Sequence, residues 1–309
     1  MTRLAAIDVG TNSVRLYVAE SSGGSELKQL DRDLVITRLG KGVDKAKRLG
    51  EEPLRRTMDA IASYHRRAVD LGAETVRIAA TSAVRDASNR DEFFSAVSKE
   101  TGVNAEVLSG DEEARLSFLG ATSELSDGAP FLVLDIGGGS TEFVLGDREP
   151  AAWISIDVGS VRLTERHVRS DPPARDELRG VVADADAAVA RAKGVVGSTA
   201  RTLVGLAGTI TTMAAIALKL STYDRDAIHH ARLSLEQVHD VNAELAGMTV
   251  EHRKTLPAMP PGREDVIVAG STILLRVMEG FGFDEVLVSE ADILDGLVLD
   301  AIRSEDGPG

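Results

Sequence analysis

The run Phe131-Leu-Val-Leu-Asp135-Ile-Gly137-Gly138-Gly139-Ser140-Thr141-Glu142-Phe-Val-Leu145 decides how the rest of the chain is read. Apolar residues lead to Asp135, three glycines and two hydroxyl residues make a tight turn, and a second apolar run leads back, the pattern of a β-hairpin with a polar tip. An ordinary β-turn needs only one glycine. Three in a row let successive backbone N–H groups converge at close range on an anion. Ser140 and Thr141 add hydroxyl donors, and Asp135 and Glu142 offer hard oxygens to a divalent cation. Gly137, Gly138, Gly139, Ser140 and Thr141 are therefore candidate phosphate-binding residues, and Asp135 and Glu142 candidate metal ligands.

The N-terminal stretch Leu4-Ala-Ala-Ile-Asp8-Val-Gly10-Thr11-Asn12-Ser13-Val-Arg15-Leu-Tyr-Val18 reads the same way. It aligns Asp8 with Asp135, Gly10 with Gly137, Ser13 with Ser140 and Leu16 with Phe143, an internal repeat of period 127. That period is too long for a solenoid and suits a duplicated α/β domain, each copy presenting one phosphate hairpin to a shared cleft. Asp8 thus joins the metal candidates, and Asn12 and Ser13 the phosphate candidates.

Composition bounds the function. The 309 residues suit two domains, expected at 1–124 and 125–309, with the turn-rich stretch Thr122 to Pro130 at the junction. A C-terminal helix over about 291–305 is expected to pack back on the first domain, and Ser304 to Gly309 to fray. The absence of cysteine excludes disulfides, thiolate metal sites and a thiol nucleophile. No apolar run approaches the roughly 18 residues of a membrane span, and Asp8 interrupts the N-terminal apolar run before a signal-peptide core forms, so a cytoplasmic protein is expected. A formal charge of −14 argues against general nucleic-acid binding, which needs a broad Lys/Arg footprint.

Thr75 to Ala80 reads as a strand delivering Thr81-Ser-Ala-Val-Arg85 at its C-terminal end, where open α/β sheets place ligand loops; Arg85 is a candidate phosphate ligand. Farther on, Ser109 and Glu112 have the spacing of a capping box. Glu112 is thereby accounted for by helix architecture. Glu113 lies about 100° further round the helix and has no such duty. Leu203-Val-Gly205-Leu-Ala-Gly208-Thr209 reads as strand, glycine turn and helix, adding Gly208 and Thr209 to the phosphate candidates.

The motifs at 8–13, 135–142 and 205–209 resemble the actin-like phosphotransferase superfamily. With Ser109-Gly-Asp-Glu-Glu-Ala-Arg115, Ala80-Thr-Ser-Ala-Val-Arg85, Gly159-Ser-Val-Arg-Leu-Thr-Glu165 and Ser289-Glu-Ala-Asp-Ile-Leu-Asp-Gly-Leu297 added, the match narrows to the exopolyphosphatase and guanosine pentaphosphate phosphohydrolase (Ppx/GppA) family. The resemblance implies two duplicated actin-like (ribonuclease H-like) α/β domains with a cleft between them. It places Glu113 at the family's catalytic base, Arg85 near the substrate phosphates, Asp135 and Glu142 at a magnesium site, and Gly137 to Thr141 in the phosphate loop. It further implies hydrolysis of the terminal phosphoanhydride of inorganic polyphosphate or of guanosine pentaphosphate, with Mg²⁺ or another divalent cation. Family members often dimerise, so a second copy of the chain is a further expected partner. A sugar or acetate kinase and an actin-like ATPase module are the alternatives on the same scaffold. Longer members carry further helical domains. Here the candidate gripping cations are few, Arg38, Lys41, Arg85, Arg253, Lys254 and Arg263, so short polyphosphates are the expected substrates.

Overall fold

A computed structural model describes residues 1–22 and 27–305, and divides the chain into two compact units. The first comprises Met1–Ser123 and the chain from Asp292; the second is Glu124–Ala291. In the first, β1 (Thr2–Val9), β2 (Ser13–Ser21) and β3 (Leu27–Ile36) form an antiparallel meander. Then follow α1 (Val43–Ala46), α2 (Glu51–Asp70), β4 (Thr75–Ala80), α3 (Ser82–Arg85), α4 (Arg90–Thr101), β5 (Glu106–Val107) and α5 (Gly110–Thr122). The sheet order is β3-β2-β1-β4-β5, with β4 parallel to both β1 and β5. The period-two alternation of β1 sorts its side chains between two cores. Ala5, Ile7 and Val9 pack with Ile61 and Tyr64 of α2 and Phe93 of α4, whereas Leu4 and Ala6 face the other side.

The second unit runs β6 (Phe131–Ile136), β7 (Thr141–Gly146), β8 (Pro150–Ile156), α6 (Ser160–His167), α7 (Arg175–Val196), β9 (Thr202–Leu206), α8 (Ala207–Ala217), α9 (Arg225–Ile228), β10 (Arg232–Ser234), α10 (Leu235–Gly247), α11 (Val250–Lys254), α12 (Ile267–Phe281) and β11 (Glu285–Val288). Its sheet order is β10-β11-β9-β6-β7-β8. Counted from its own first strand, the first unit has the order 3-2-1-4-5, the ribonuclease H-like pattern; the second is 3-2-1-4-6-5, the same pattern once β10, an insertion antiparallel at its edge, is set aside. Five short elements escaped the sequence reading, α1, α3, α9, β10 and α11. Each has five residues or fewer, too few to show a period.

The last element, α13 (Ile293–Glu305), belongs to the first unit, where Leu294, Leu297 and Val298 join Leu4, Ala6 and Leu116 in its second core. Residues from 306 on, part of the tail expected to fray, lie outside the described residues. Helices α5 and α13 cross at backbone contact: a methyl group on Gly120 would overlap the carbonyl of Asp292, and one on Gly296 the carbonyl of Leu116. Because both obstacles are backbone, relief requires the helices to separate, at about 1–3 kcal/mol or more. Gly120→Ala and Gly296→Ala should therefore each lower the unfolding midpoint. Gly194→Ala, in open space within α7, should raise stability by about 0.5–1 kcal/mol. Thermal unfolding of the three variants checks both directions.

Candidate active site

In the first unit, β1, β4 and β5 run parallel in register, Val9 beside Ala80 and Ala80 beside Val107, so the segments that follow them leave from one edge of the sheet. The first is the Gly10–Asn12 turn, closed by the Gly10 N–H donating to the Ser13 carbonyl at 2.9 Å. Asp8 is buried opposite Arg15 in the ladder, and its Oδ2 accepts from Arg15 Nε and Nη2 at 2.9 and 2.7 Å. Arg15 also pairs with Asp292, which Arg32 approaches at 3.4 Å. Burial raises the Asp8 pKa, and Arg15 offsets that only in part. Burial acts on Asp292 in the same sense, but Arg15 and Arg32 outweigh it and hold the carboxyl below its usual range. Asp8 Oδ1 remains buried without a hydrogen-bond partner.

From the same edge, Arg85 closes the α3 turn and Glu113 opens α5. Arg85 Nη1 donates to the Leu108 carbonyl at 2.9 Å and to Glu113 Oε2 at 3.0 Å, joining residues 28 apart in sequence. Glu113 is buried. Glu112 is bound into the helix cap: the Ser109 N–H and hydroxyl donate to its Oε2 at 2.9 and 2.8 Å, and these bonds lower its pKa. The two neighbouring glutamates have the separate surroundings that the capping-box spacing predicts.

In the second unit, β6 and β9 are parallel neighbours with Asp135 beside Leu206, so the 137–140 and 207–209 turns share an edge. The Gly137 N–H donates to the Ser140 carbonyl at 3.0 Å, repeating the Gly10–Ser13 bond. The N-terminus of α6 takes up the carbonyls of this turn. Ser160 N–H donates to Gly137 O at 3.0 Å, Val161 and Arg162 N–H to Gly138 O at 2.9 and 3.0 Å, and Arg162 Nε to Gly139 O at 2.6 Å. A trans peptide points its C=O and the following N–H in opposite directions. The N–H groups of Gly138, Gly139 and Ser140 therefore turn away from α6, and among the described residues no protein acceptor takes them. Adjacent outward N–H groups of this kind are the arrangement of a candidate anion nest. The close approach depends on Gly159, where a Cβ would lie 2.5 Å from the Gly138 carbonyl oxygen.

Thr141 is a correction. Its hydroxyl is fully buried and donates to the Val158 carbonyl at 2.6 Å, so its single donor is committed to holding the loop and cannot reach an anion. Asp135 and Glu142 stand opposite each other in the ladder, on one face, 8% and 1% exposed. Ser155 Oγ donates to Glu142 Oε1 at 2.6 Å. Where the first hairpin sets Arg15 against Asp8, the second sets Glu142 against Asp135. Two buried carboxylates side by side are the donor set a hard divalent cation fits.

The Gly208–Thr209 turn starts from Ala207 in the left-handed region, φ 65°. Arg263 Nη1 donates to Gly208 O and to Thr212 Oγ1, both at 2.9 Å, and a Cβ on Gly208 would overlap its guanidinium. Thr209 is buried against Gly270. Arg253 is the second correction. It is 1% exposed and donates to the carbonyls of Met248 and Glu264, so no substrate reaches it. One further cluster of titratable groups, Glu124, His229 and His230, is not arranged for a metal. The Glu290 N–H donates to His229 Nδ1 at 3.0 Å, which leaves the proton on Nε2 for Glu124 at 2.9 Å. Metal-bound histidines use the reverse pattern.

Sequence reasoning missed Arg15 and Arg162 as parts of the site. The repeat aligns Arg15 with Glu142, a charge reversal that could have marked the first; nothing local marked the second.

The model of the Ppx/GppA phosphatase family matches residues 17–305. The chain belongs to that family. It is 45% identical to exopolyphosphatase 2 of Mycobacterium tuberculosis over 97% of this chain and 98% of that one. A crystal structure of an exopolyphosphatase-like protein, 38% identical, superposes with a TM-score of 0.94 and covers 98% of this chain and 100% of its own. The Ppx/GppA member of Aquifex aeolicus, 31% identical, gives a TM-score of 0.85 with 99% of both chains covered.

Within this Ppx/GppA chain, Arg162 braces the nest through Nε, a donor that lysine lacks at that position. Arg162→Lys should lower kcat about tenfold or more with a smaller change in KM, whereas Arg166→Lys, on the exposed side of α6, should change neither beyond twofold. Steady-state kinetics on both variants check this.

Proposed function

We propose that the protein hydrolyses the terminal phosphoanhydride bond of inorganic polyphosphate, favouring short chains and working in the cytoplasm. The observation that carries this reading is the Gly137–Ser140 turn, whose three outward peptide N–H groups cap the hairpin in which Asp135 and Glu142 stand paired. The likeness to the mycobacterial exopolyphosphatase supports the substrate class. No helix among the described residues is long and apolar enough to cross a membrane. A second copy of the chain is the proposed partner.

Glu113, held by Arg85, accepts a proton from the attacking water as the new P–O bond forms and the bridging P–O bond breaks. Arg85 Nη1 serves Leu108 and Glu113, so Nε and Nη2 are the donors proposed for phosphate. The nest N–H groups take the charge that builds on the equatorial oxygens. Asp135 and Glu142, opposite each other in the ladder, would hold Mg²⁺, which would supply neutralising charge at the anhydride when bound.

Phosphate release with Mg²⁺, measured side by side on polyphosphate and guanosine pentaphosphate, tests the substrate; faster turnover of the pentaphosphate would overturn the assignment. Glu113→Gln should lose about 10²- to 10⁴-fold in rate, and Glu112→Gln only a few-fold, because glutamine still completes the capping box. Equal losses would remove the division of roles. Independently of activity, Mg²⁺ at about 100 times its Kd should raise wild-type stability by about 2.7 kcal/mol, and Asp135→Asn should abolish that rise.

A further inference from the structure

We propose that the loop from Arg38 to Arg48 is a polyanion track holding the phosphates that trail behind the terminal ones, an inference resting on the function proposed above. The chain carries 35 Lys and Arg against 49 Asp and Glu, yet this loop, Arg38-Leu-Gly-Lys41-Gly-Val-Asp44-Lys45-Ala-Lys47-Arg48, sets five cations against one acid. Its two ends are fastened to the candidate site. At the start, Thr37 and Arg38 N–H donate to the Asn12 carbonyl at 3.0 and 2.9 Å, and Gly40 N–H to the Thr11 carbonyl at 2.8 Å, so the loop hangs directly from the first phosphate hairpin. At the finish, Ser88 N–H donates to the Lys47 carbonyl and Asn89 Oδ1 accepts from Leu49 N–H, both at 2.8 Å, just past Arg85.

The loop is built to show its charge. Leu39, Val43 and Leu49 are buried in the first core, whereas Lys41, Lys45, Lys47 and Arg48 are exposed. Among the described residues, Lys41 and Lys45 have no ion-pair partner; Lys47 meets Asp44 only at 3.9 Å, and Arg48 meets Glu92 at 3.3 Å between two exposed side chains, so both are available to a stronger anion. Arg38 and Lys47 also occupy the left-handed region, φ 54° and 51°, where glycine or asparagine would sit with less strain. Cations stand at positions where the backbone favours other residues. A flexible polyanion matches this surface, since charge held along a loop grips successive phosphates without the planar recognition a base would need.

The test is the triple variant Lys45→Gln/Lys47→Asn/Arg48→Gln, asparagine being chosen for its tolerance of positive φ. Relative to wild type, KM for long-chain polyphosphate should rise about tenfold at unchanged kcat, while tripolyphosphate, which has no further phosphates trailing behind it, should keep both constants within twofold. The slope of log KM against log salt on the long chain should fall by about 2, the loss of three counterion-releasing charges. An unchanged unfolding midpoint shows that the fold is intact; should the triple variant unfold early, Lys45→Gln alone gives the same comparison. Equal effects on both substrates, or none on either, would overturn the track while leaving the proposed hydrolysis standing. A wild-type protein that releases no phosphate from any polyphosphate would remove both.

Discussion

The grip of α6 on the Gly137–Ser140 turn is the constraint on which the second unit's chemistry depends. A peptide group is rigid, so whatever binds the carbonyls of Gly137, Gly138 and Gly139 also decides where the following N–H groups point. The first turn of α6 carries N–H groups with no partner inside the helix, and here they are satisfied by the loop rather than by an anion. A helix N-terminus, elsewhere a ready anion site, is used here to aim the N–H groups of a neighbouring loop. Gly159 is what this arrangement requires of the sequence, because any side chain there would push α6 off the loop.

The two hairpins share a backbone and differ in charge. Gly10–Ser13 and Gly137–Ser140 close with the same hydrogen bond, and Asp8 and Asp135 hold the same ladder position. Opposite Asp8 stands Arg15, and opposite Asp135 stands Glu142. One hairpin is neutralised from within, the other concentrates negative charge. The two copies thus share a geometry and differ in electrostatics, and the proposed cation site belongs to the second. Asp8 Oδ1 stays buried without a hydrogen-bond partner even so. Arg15 is in turn fixed by Asp292 at the head of α13, which ties the first hairpin to the far end of the chain.

Helix α13 also sets the position of the proposed base. Its crossing with α5 is at backbone distance, through Gly120 and Gly296, and α5 begins with the turn that presents Glu113. Arg115 of α5 and Arg77 of β4 both reach Asp300 at 2.9 Å, reinforcing the same packing. The part of the chain most distant in sequence from Glu113 therefore supports it.

Strands and hairpins were legible because their causes are local. The alternation around Asp8 and Asp135, the glycines at the turns and the Ser109–Glu112 capping box each act within a few residues, and the 127-residue repeat made the duplication visible. Helix α2 is bounded by local causes too, with Pro53 in its first turn and Gly72, φ 78°, just past its end. What sequence could not supply was which polar atoms are already committed. Thr141 reads as a phosphate donor until Val158 takes its proton, and Arg253 reads as a gripping cation until burial closes it off. Arg162 reads as an ordinary helical arginine until Gly139 is found at its Nε. A side chain's type is written in the sequence; its hydrogen-bonding partner is set by residues far away along the chain, and only their packing decides whether a donor remains for a ligand.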